Sequence, residues 1–156
     1  MKRVFMSLFL ALTMILAGCD MRISEPYSFD YQTLTEQVVG VEINYRDDSY
    51  VDETIYVLSE DEISPFIEAF YELSFQTAGP AYPRELHYFI KLSYRDGSYD
   101  YIGSMAGFRY DTKGKFDAPG PFCTEESWEE YYNLLLRYIE IEKEDFIWDY
   151  KLNKEQ

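Results

Sequence analysis

Residues 86–103 read LHYFIKLSYRDGSYDYIG. Apolar and polar side chains alternate through the first half of this stretch, which is the period of a β-strand. Asp96-Gly97 follows, and this residue pair is typical of a tight type I′ hairpin turn. A two-residue loop pairs Tyr94 with Tyr99. The sequence therefore predicts an antiparallel hairpin in which these two tyrosines lie on one face.

The two faces of this hairpin suggest different roles. Tyrosine suits half-buried strands, so we predict that the face shared with Leu92 belongs to the core, together with Tyr88, Tyr94, Tyr99 and Tyr101. The alternative for these rings is a stacking platform for sugars or a protein-binding surface. The opposite face stays open if helices cover the first. It is the candidate binding face and carries His87, Phe89, Lys91, Arg95 and Asp100.

An earlier segment resembles the hairpin turn. Residues 45–50, YRDDSY, match residues 94–99, YRDGSY, at five of six positions. Asp48 replaces the glycine, so we expect a longer turn here, with the strand resuming near Thr54. A helical pattern follows each region. The order of elements suggests an internal ββα-ββα pseudo-repeat.

The two predicted helices have recognisable starts. Ser59 and Glu62 form a capping-box pattern, but Pro65 is unfavourable deep in a helix, so we expect the regular part to begin at Ser64. Thr124 precedes the second helix as its cap. The hairpins and helices together predict an α+β fold: a two-layer antiparallel sheet with two helices packed on one face. The expected single domain spans residues 38–150, and a polar tail covers residues 151–156.

The N-terminus has the layout of a secretory signal. Lys2 and Arg3 precede an apolar run that ends in Leu16-Ala17-Gly18-Cys19. These last four residues resemble the lipobox of bacterial lipoproteins. The resemblance implies cleavage between Gly18 and Cys19, a lipid on Cys19, and a protein anchored on the extracytoplasmic side of the cell membrane. In bacteria with two membranes, Asp20 after that cysteine implies retention at the inner membrane.

Two further expectations concern this N-terminal region. The apolar run covers residues 4–17, whereas a membrane-spanning helix needs roughly 20 residues, which disfavours an uncleaved transmembrane segment. Residues 1–18 are thus expected to be removed as a signal peptide. Residues 19–37 are polar and show no sustained period. We predict that they form a flexible tether behind the lipidated cysteine.

Charge restricts the partners. The chain has 29 acidic and 14 basic residues, a formal charge of −15. Loss of residues 1–18 removes Lys2 and Arg3, which leaves a formal charge of −17. Such a surface repels phosphate backbones, so we predict no nucleic-acid binding. Basic proteins or cations are the partners that this field favours, and the membrane is reached through the lipid.

Catalytic motifs are weak. Cys123 has no intrachain partner once Cys19 carries lipid, and it is either a buried apolar residue, a nucleophile or a bridge to another chain. Glu125/Glu129 and Glu126/Glu130 are carboxylate pairs one helical turn apart, but acids near a helix start also suit its dipole. The acidic turn around Asp47 and Asp52 lacks the spacing of a calcium loop. We predict no metal site and no cofactor.

Three functions follow from these patterns. The first is a non-catalytic binding or interaction module of the cell envelope, which uses the open sheet face against an envelope protein or polymer. The second is a small envelope hydrolase that uses carboxylates. The third is a structural accessory subunit of a membrane complex.

Overall fold

The computed structural model describes residues 25–46, 52–77, 88–104 and 106–141. Within these ranges the chain forms an α+β fold, as predicted, with nine strands and three α-helices. The strands are β1 Glu25–Tyr27, β2 Val38–Arg46, β3 Asp52–Val57, β4 Phe75–Thr77, β5 Tyr88–Tyr94, β6 Tyr99–Gly103, β7 Gly107–Tyr110, β8 Phe116–Pro119 and β9 Pro121–Cys123. The helices are α1 Tyr31–Gln37, α2 Glu60–Tyr71 and α3 Trp128–Leu135, the last preceded by a 3₁₀ turn, Glu125–Ser127.

Two antiparallel sheets organise the chain. The larger has six strands in the order β3-β2-β5-β6-β7-β8, and the smaller has three in the order β1-β4-β9. The sequence predicted the larger sheet and the helices α2 and α3. The small sheet and α1 were not predicted. Their strands and helix span only three to seven residues, too few for a clear period.

The core lies between one face of the six-stranded sheet and the helices. Ile43, Ile90 and Leu92 have no exposed surface on the sheet side. Each helix adds apolar side chains to the same cluster, for example Leu34 from α1 and Phe66 from α2. Burial of each such side chain contributes about 1.5–3 kcal/mol. We call this helix-covered side the inner face.

The β5–β6 hairpin has a register that differs from the predicted one by a single residue. Gly97 adopts a φ of 90°, and its N–H donates to the Tyr94 carbonyl at 2.9 Å. The Tyr94 N–H donates to the Ser98 carbonyl, so the loop holds three residues rather than two. This is a type I turn followed by a bulge at glycine, the next most common solution after the two-residue turns. Tyr99 consequently pairs with Ser93 instead of Tyr94.

A one-residue slip moves every side chain of the return strand to the other face. Tyr101 pairs with Lys91, and Asp100 pairs with Leu92. The prediction that Tyr99 and Tyr101 belong to the main core is therefore wrong, as is the placement of Asp100 on the open face. Tyr88 and Tyr94 do pack against the main core.

The start of α2 also differs from expectation. Ser59 and Glu62 form the predicted capping box, with the Ser59 N–H donating to the Glu62 carboxylate at 2.8 Å. The helix begins at Glu60, not at Ser64, and Pro65 lies inside it. The capping box satisfies donors of the first turn. Because Pro65 has no N–H, the helix loses one backbone hydrogen bond at this position, but it continues to Tyr71.

Residues 25–37 are part of the folded domain and not of a tether. Asp30 caps α1 by accepting the Thr33 N–H at 2.7 Å, and Phe29 and Leu34 are buried. A single capping aspartate and two isolated apolar residues gave too little pattern to predict this segment. The lipobox, residues 19–24 and residues 142–156 lie outside the described residues.

In the first hairpin, where Asp48 indicated a longer turn, the return strand begins at Asp52, near the expected Thr54. Its last described pair is Arg46 with Asp52, and the connection, residues 47–51, is outside the described ranges. A β-bulge lies between Ile43 and Asn44. The pseudo-repeat is not confirmed, because three described strands precede α2 whereas six lie between α2 and α3. No described helix is long and apolar enough to cross a membrane.

Candidate binding face

The side of the six-stranded sheet opposite the helices carries an aromatic cluster. Cross-strand pairing aligns Tyr99 with Tyr110 and Tyr101 with Phe108, while Tyr110 pairs with Phe116 on β8. Phe89 lies on the same side, on β5. We define the outer face by these six rings and the polar residues of β2, β3 and β5 beside them. Those polar residues are Glu42, Asn44, Arg46, Asp52, Thr54 and Lys91.

The rings of the outer face contact one another closely. Tyr99 and Tyr110 stack with their centroids 4.7 Å apart and an interplanar angle of 12°. Tyr101 meets Phe89 edge-on at 4.9 Å and Tyr110 at 5.3 Å. Such aromatic pairs contribute about 0.5–1.5 kcal/mol each beyond the burial of their area. The outer face is therefore pre-organised rather than a set of independent side chains.

Exposure varies across the cluster. Phe89 and Phe108 are buried at its base, whereas Tyr99, Tyr101 and Tyr110 are half-buried and Phe116 is 50 % exposed. Burial raises the pKa of the Tyr101 phenol to about 12, with a further contribution from the Asp52 carboxylate. Burial likewise raises the pKa of Tyr110. Both phenols therefore stay neutral at physiological pH and present hydroxyl groups for hydrogen bonding.

Two ion pairs border the rings. The Lys91 ammonium donates to Glu42 Oε1 at 2.9 Å and lies 5.4 Å from the Tyr99 ring centroid. The Arg46 guanidinium contacts Asp52 through two nitrogens and lies 5.3 Å from the centroid of Phe89. Each cation is thus held between a carboxylate and an aromatic ring. Arg46 was not predicted as a site residue, because it is far from Phe89 in the sequence and approaches it only through the pairing of β2 with β5.

Asn44 is the least satisfied polar side chain of the outer face. It is 4 % exposed, and its Oδ1 accepts a hydrogen bond from Thr54 Oγ1 at 2.8 Å. Its Nδ2 has no hydrogen-bond partner within the part of the chain that the structure describes. Leaving such a donor buried costs about 1–3 kcal/mol.

The structure separates the residues that the sequence grouped as a binding face. Phe89 and Lys91 lie on the outer face, Arg95 lies in the β5–β6 turn, and Asp100 lies on the inner side. His87 is outside the described residues. Tyr99, Tyr101 and Tyr110 belong to the face but were assigned to the core because of the predicted register.

Asp100 performs a different task at the junction of the two sheets. It has no exposed surface, and both of its carboxylate oxygens accept hydrogen bonds from Arg109, each at 2.8 Å. The Tyr94 hydroxyl donates to the same carboxylate at 2.8 Å. Arg109 also contacts the Tyr27 hydroxyl of β1 at 3.4 Å. The carboxylate holds the pKa of Arg109 well above its ordinary value.

The candidate catalytic groups differ in burial. Cys123 is fully buried and contacts the Ser127 carbonyl at 3.3 Å. Burial raises the pKa of its thiol to about 12, which opposes thiolate chemistry. The four glutamates of the predicted carboxylate pairs are exposed around the start of α3: Glu125, Glu126, Glu129 and Glu130.

One cleft lies between α1 and α2. Its volume is about 330 Å³, and apolar side chains such as Leu34 and Ile67 line it beside one carboxylate, Glu60. Across the described ranges, no group of three or more histidine, cysteine or acidic side chains could hold a metal ion. No family model matches the sequence, and comparison with curated proteins and with solved structures found no match.

Proposed function

We propose that this protein is a lipid-anchored, extracytoplasmic lipoprotein that acts as a non-catalytic binding module of the cell envelope. The observation that carries the proposal is the aromatic cluster of the outer face, which lies on the side of the sheet opposite all three helices. Cys19 supplies the anchor, as the lipobox implies. The outer face supplies the contact with an envelope partner.

The composition of the outer face supports binding. Tyrosine and arginine are enriched in the energetically dominant parts of protein interfaces. Tyr99, Tyr101 and Tyr110 present large contact areas that their mutual packing already orders. A partner that binds them therefore pays little for side-chain ordering.

The alternative functions have less support. A hydrolase with two carboxylates needs them on either side of one substrate bond, whereas the glutamates near α3 are exposed residues of one short segment. A structural subunit is favoured by exposed apolar side chains at a sheet edge, such as Ile55 and Val57, which are 43 % and 64 % exposed on edge strand β3.

The binding proposal is tested by capture from native membranes. Tyr110→Ala/Phe116→Ala removes two rings of the outer face. Tyr31→Ala/Tyr71→Ala removes an exposed ring pair of the helical layer, whose centroids are 5.0 Å apart, and is the matched control. We expect the first variant to recover at least tenfold less of the proteins that are cross-linked to the wild type. Equal recovery with both variants would contradict the proposal.

The anchor is tested separately with Cys19→Ala. Wild-type protein should incorporate labelled palmitate and remain with the membrane fraction, because two or more acyl chains give stable attachment. The variant should remain unlabelled and unprocessed. Palmitate labelling of the variant at the wild-type level excludes Cys19 as the lipid site.

A further inference from the structure

We infer that the partner of the outer face is a protein segment rich in lysine or arginine, whose cationic side chains bind across the tyrosine rings and end at the carboxylates of the β2–β3 border. The inference rests on the proposed binding function and names the chemistry of the partner. It follows from the charge state of the face, the orientation of its rings and the charge of the whole chain.

The cations of the outer face are already paired. Arg46 and Lys91 each contact a carboxylate and a ring, and their side chains are only 15 % and 23 % exposed. An anionic ligand would therefore meet cations whose charge a neighbouring carboxylate already balances. Such a ligand would also approach a chain whose formal charge is −15. Both effects disfavour acidic partners.

The carboxylates of the same pairs remain available. The Asp52 side chain is 34 % exposed, more than twice the exposure of Arg46 that contacts it. Among the described residues, Glu42 is 25 % exposed and receives one ammonium donor and one hydroxyl contact. An ionised carboxylate has about four lone-pair sites. Each of these two can therefore accept a further cationic donor without losing its present one.

The rings favour side chains over sugars. Tyr99 and Tyr110 are stacked 4.7 Å apart and nearly parallel, so the faces that they turn toward each other are closed. Lys91 lies over the Tyr99 ring. A pyranose stacks on an open ring face, and this arrangement reduces the ring surface that is open to it. The aliphatic stems of lysine and arginine can pack against the ring edges and the half-exposed Phe116, and the phenol oxygens can accept hydrogen bonds from their charged ends.

The charge of the molecule acts over a longer range. A net negative field raises the local concentration of cationic partners and their rate of association, and salt screens this effect. The outer face adds the short-range contacts that retain such a partner. Binding is therefore expected to depend both on salt and on the named side chains.

The test uses the lipidated mature protein in detergent micelles and three synthetic twelve-residue probes. One alternates arginine with glycine, one replaces arginine by uncharged citrulline, and one replaces it by glutamate. Fluorescence anisotropy measures each dissociation constant at low and high salt. We expect the arginine probe to bind at least tenfold more tightly than the citrulline probe, and to weaken as salt rises. The glutamate probe should not bind.

Matched variants separate the outer face from overall charge. Asp52→Asn and Glu68→Gln each remove one negative charge, but Glu68 is exposed on α2, in the helical layer. We expect Asp52→Asn to weaken the arginine probe at least fivefold and Glu68→Gln to weaken it less than twofold. Circular dichroism confirms that both variants fold. Equal effects of the two variants, or equal affinity for the arginine and citrulline probes, would overturn the inference.

Failure of the inference can be distinguished from failure of the binding proposal. If Tyr110→Ala/Phe116→Ala loses the native partner while the arginine probe does not bind, the outer face is a binding site and its partner is not cationic. If that variant retains the native partner in full, the binding proposal itself fails.

Discussion

At the scale of single residues, the buried carboxylate of Asp100 shows how the two sheets are joined. Arg109 reaches it from β7 and also contacts Tyr27 of the small sheet. The Asp100 carboxylate is fully buried, whereas the Arg109 side chain is 41 % exposed. Removal of one partner of such a pair leaves the other without its compensating charge.

Asp100→Asn should lower the free energy of unfolding by about 3 kcal/mol, because Arg109 loses its bidentate acceptor and Tyr94 loses an ionised one. Urea denaturation measures the change. Asp117→Asn, an exposed aspartate on β8, is the control and should shift stability by less than about 0.5 kcal/mol. A small change in the free energy of unfolding for Asp100→Asn would mean that water solvates the Arg109 guanidinium well enough to replace the carboxylate.

Cys123 provides a second prediction at this scale. Its thiol pKa is raised from 9.0 to about 12 by burial and the charge of Glu130. In a Cys19→Ser background, iodoacetamide at pH 8.5 should modify native protein at least about 100-fold more slowly than unfolded protein, since the thiolate is the nucleophile. Comparable rates would show that Cys123 is accessible.

The same shift has a consequence for stability. Because the folded-state pKa of Cys123 is raised, its neutral thiol stabilises the fold fully below pH 9, and this contribution is lost as the pH rises toward 12. Tyr101 acts in the same direction between pH 10 and 12. Thermal denaturation should therefore show a melting temperature that falls above pH 9. The melting temperature of the Cys123→Ala variant should begin to fall only at a higher pH than that of the wild type.

At the scale of elements, the crossing between β7 and β9 is the most constrained point of the fold. A Cβ atom placed on Gly107 would lie 1.8 Å from the Pro121 carbonyl oxygen, a backbone atom with little freedom to move. Gly120 approaches the backbone of Phe108 in the same way. Only glycine permits the two backbones to pass this closely.

Gly107→Ala should therefore destabilise the protein by more than about 3 kcal/mol or prevent folding. Gly40→Ala is the matched control, because its added Cβ would meet Ser93 Cβ at an ordinary 3.6 Å. Melting temperatures of the two variants, or their soluble yields, measure the difference. Similar stability in both would mean that β7 can separate from β9 without cost.

Sequence patterns predicted the strands and helices of this fold more readily than the pairing between them. Alternation identified β5, and the capping box identified α2. The hairpin loop differed by one residue because Asp-Gly suits a two-residue turn and also a three-residue turn with glycine in the left-handed region. That difference placed Asp100 on the wrong face and removed Tyr99 from the binding face. Arg46 and Phe108 joined the face through strand pairing, which no local pattern reveals.

At the scale of the whole molecule, excess negative charge opposes compactness. The formal charge is −15, and like charges repel over about 30 Å at 0.01 M salt but only about 10 Å at 0.1 M. Salt also screens the attraction within exposed ion pairs, but each pair contributes at most about 1 kcal/mol. The stability lost in this way is therefore smaller than the stability gained when the repulsion is screened. Net charge should therefore dominate the response to salt.

Added sodium chloride between 0.01 M and 0.1 M should raise the melting temperature. Glu68→Lys makes the formal charge two units less negative at an exposed position of α2, and it should reduce the rise. Differential scanning calorimetry measures both. A melting temperature that falls with salt would show that the Lys91–Glu42 and Arg46–Asp52 pairs outweigh the general repulsion.

Under the proposed anchoring at Cys19, the small sheet limits how far the domain can extend from the bilayer. Strand β1 begins at Glu25, only six residues after Cys19. Fully extended, six residues reach about 20 Å, whereas a spacer up to residue 37 would have reached about 60 Å. With the proposed lipid on Cys19, the domain is confined to a thin layer next to the headgroups. A partner of the outer face must enter that layer, which favours neighbouring membrane proteins with short external segments over large structures of the distant envelope.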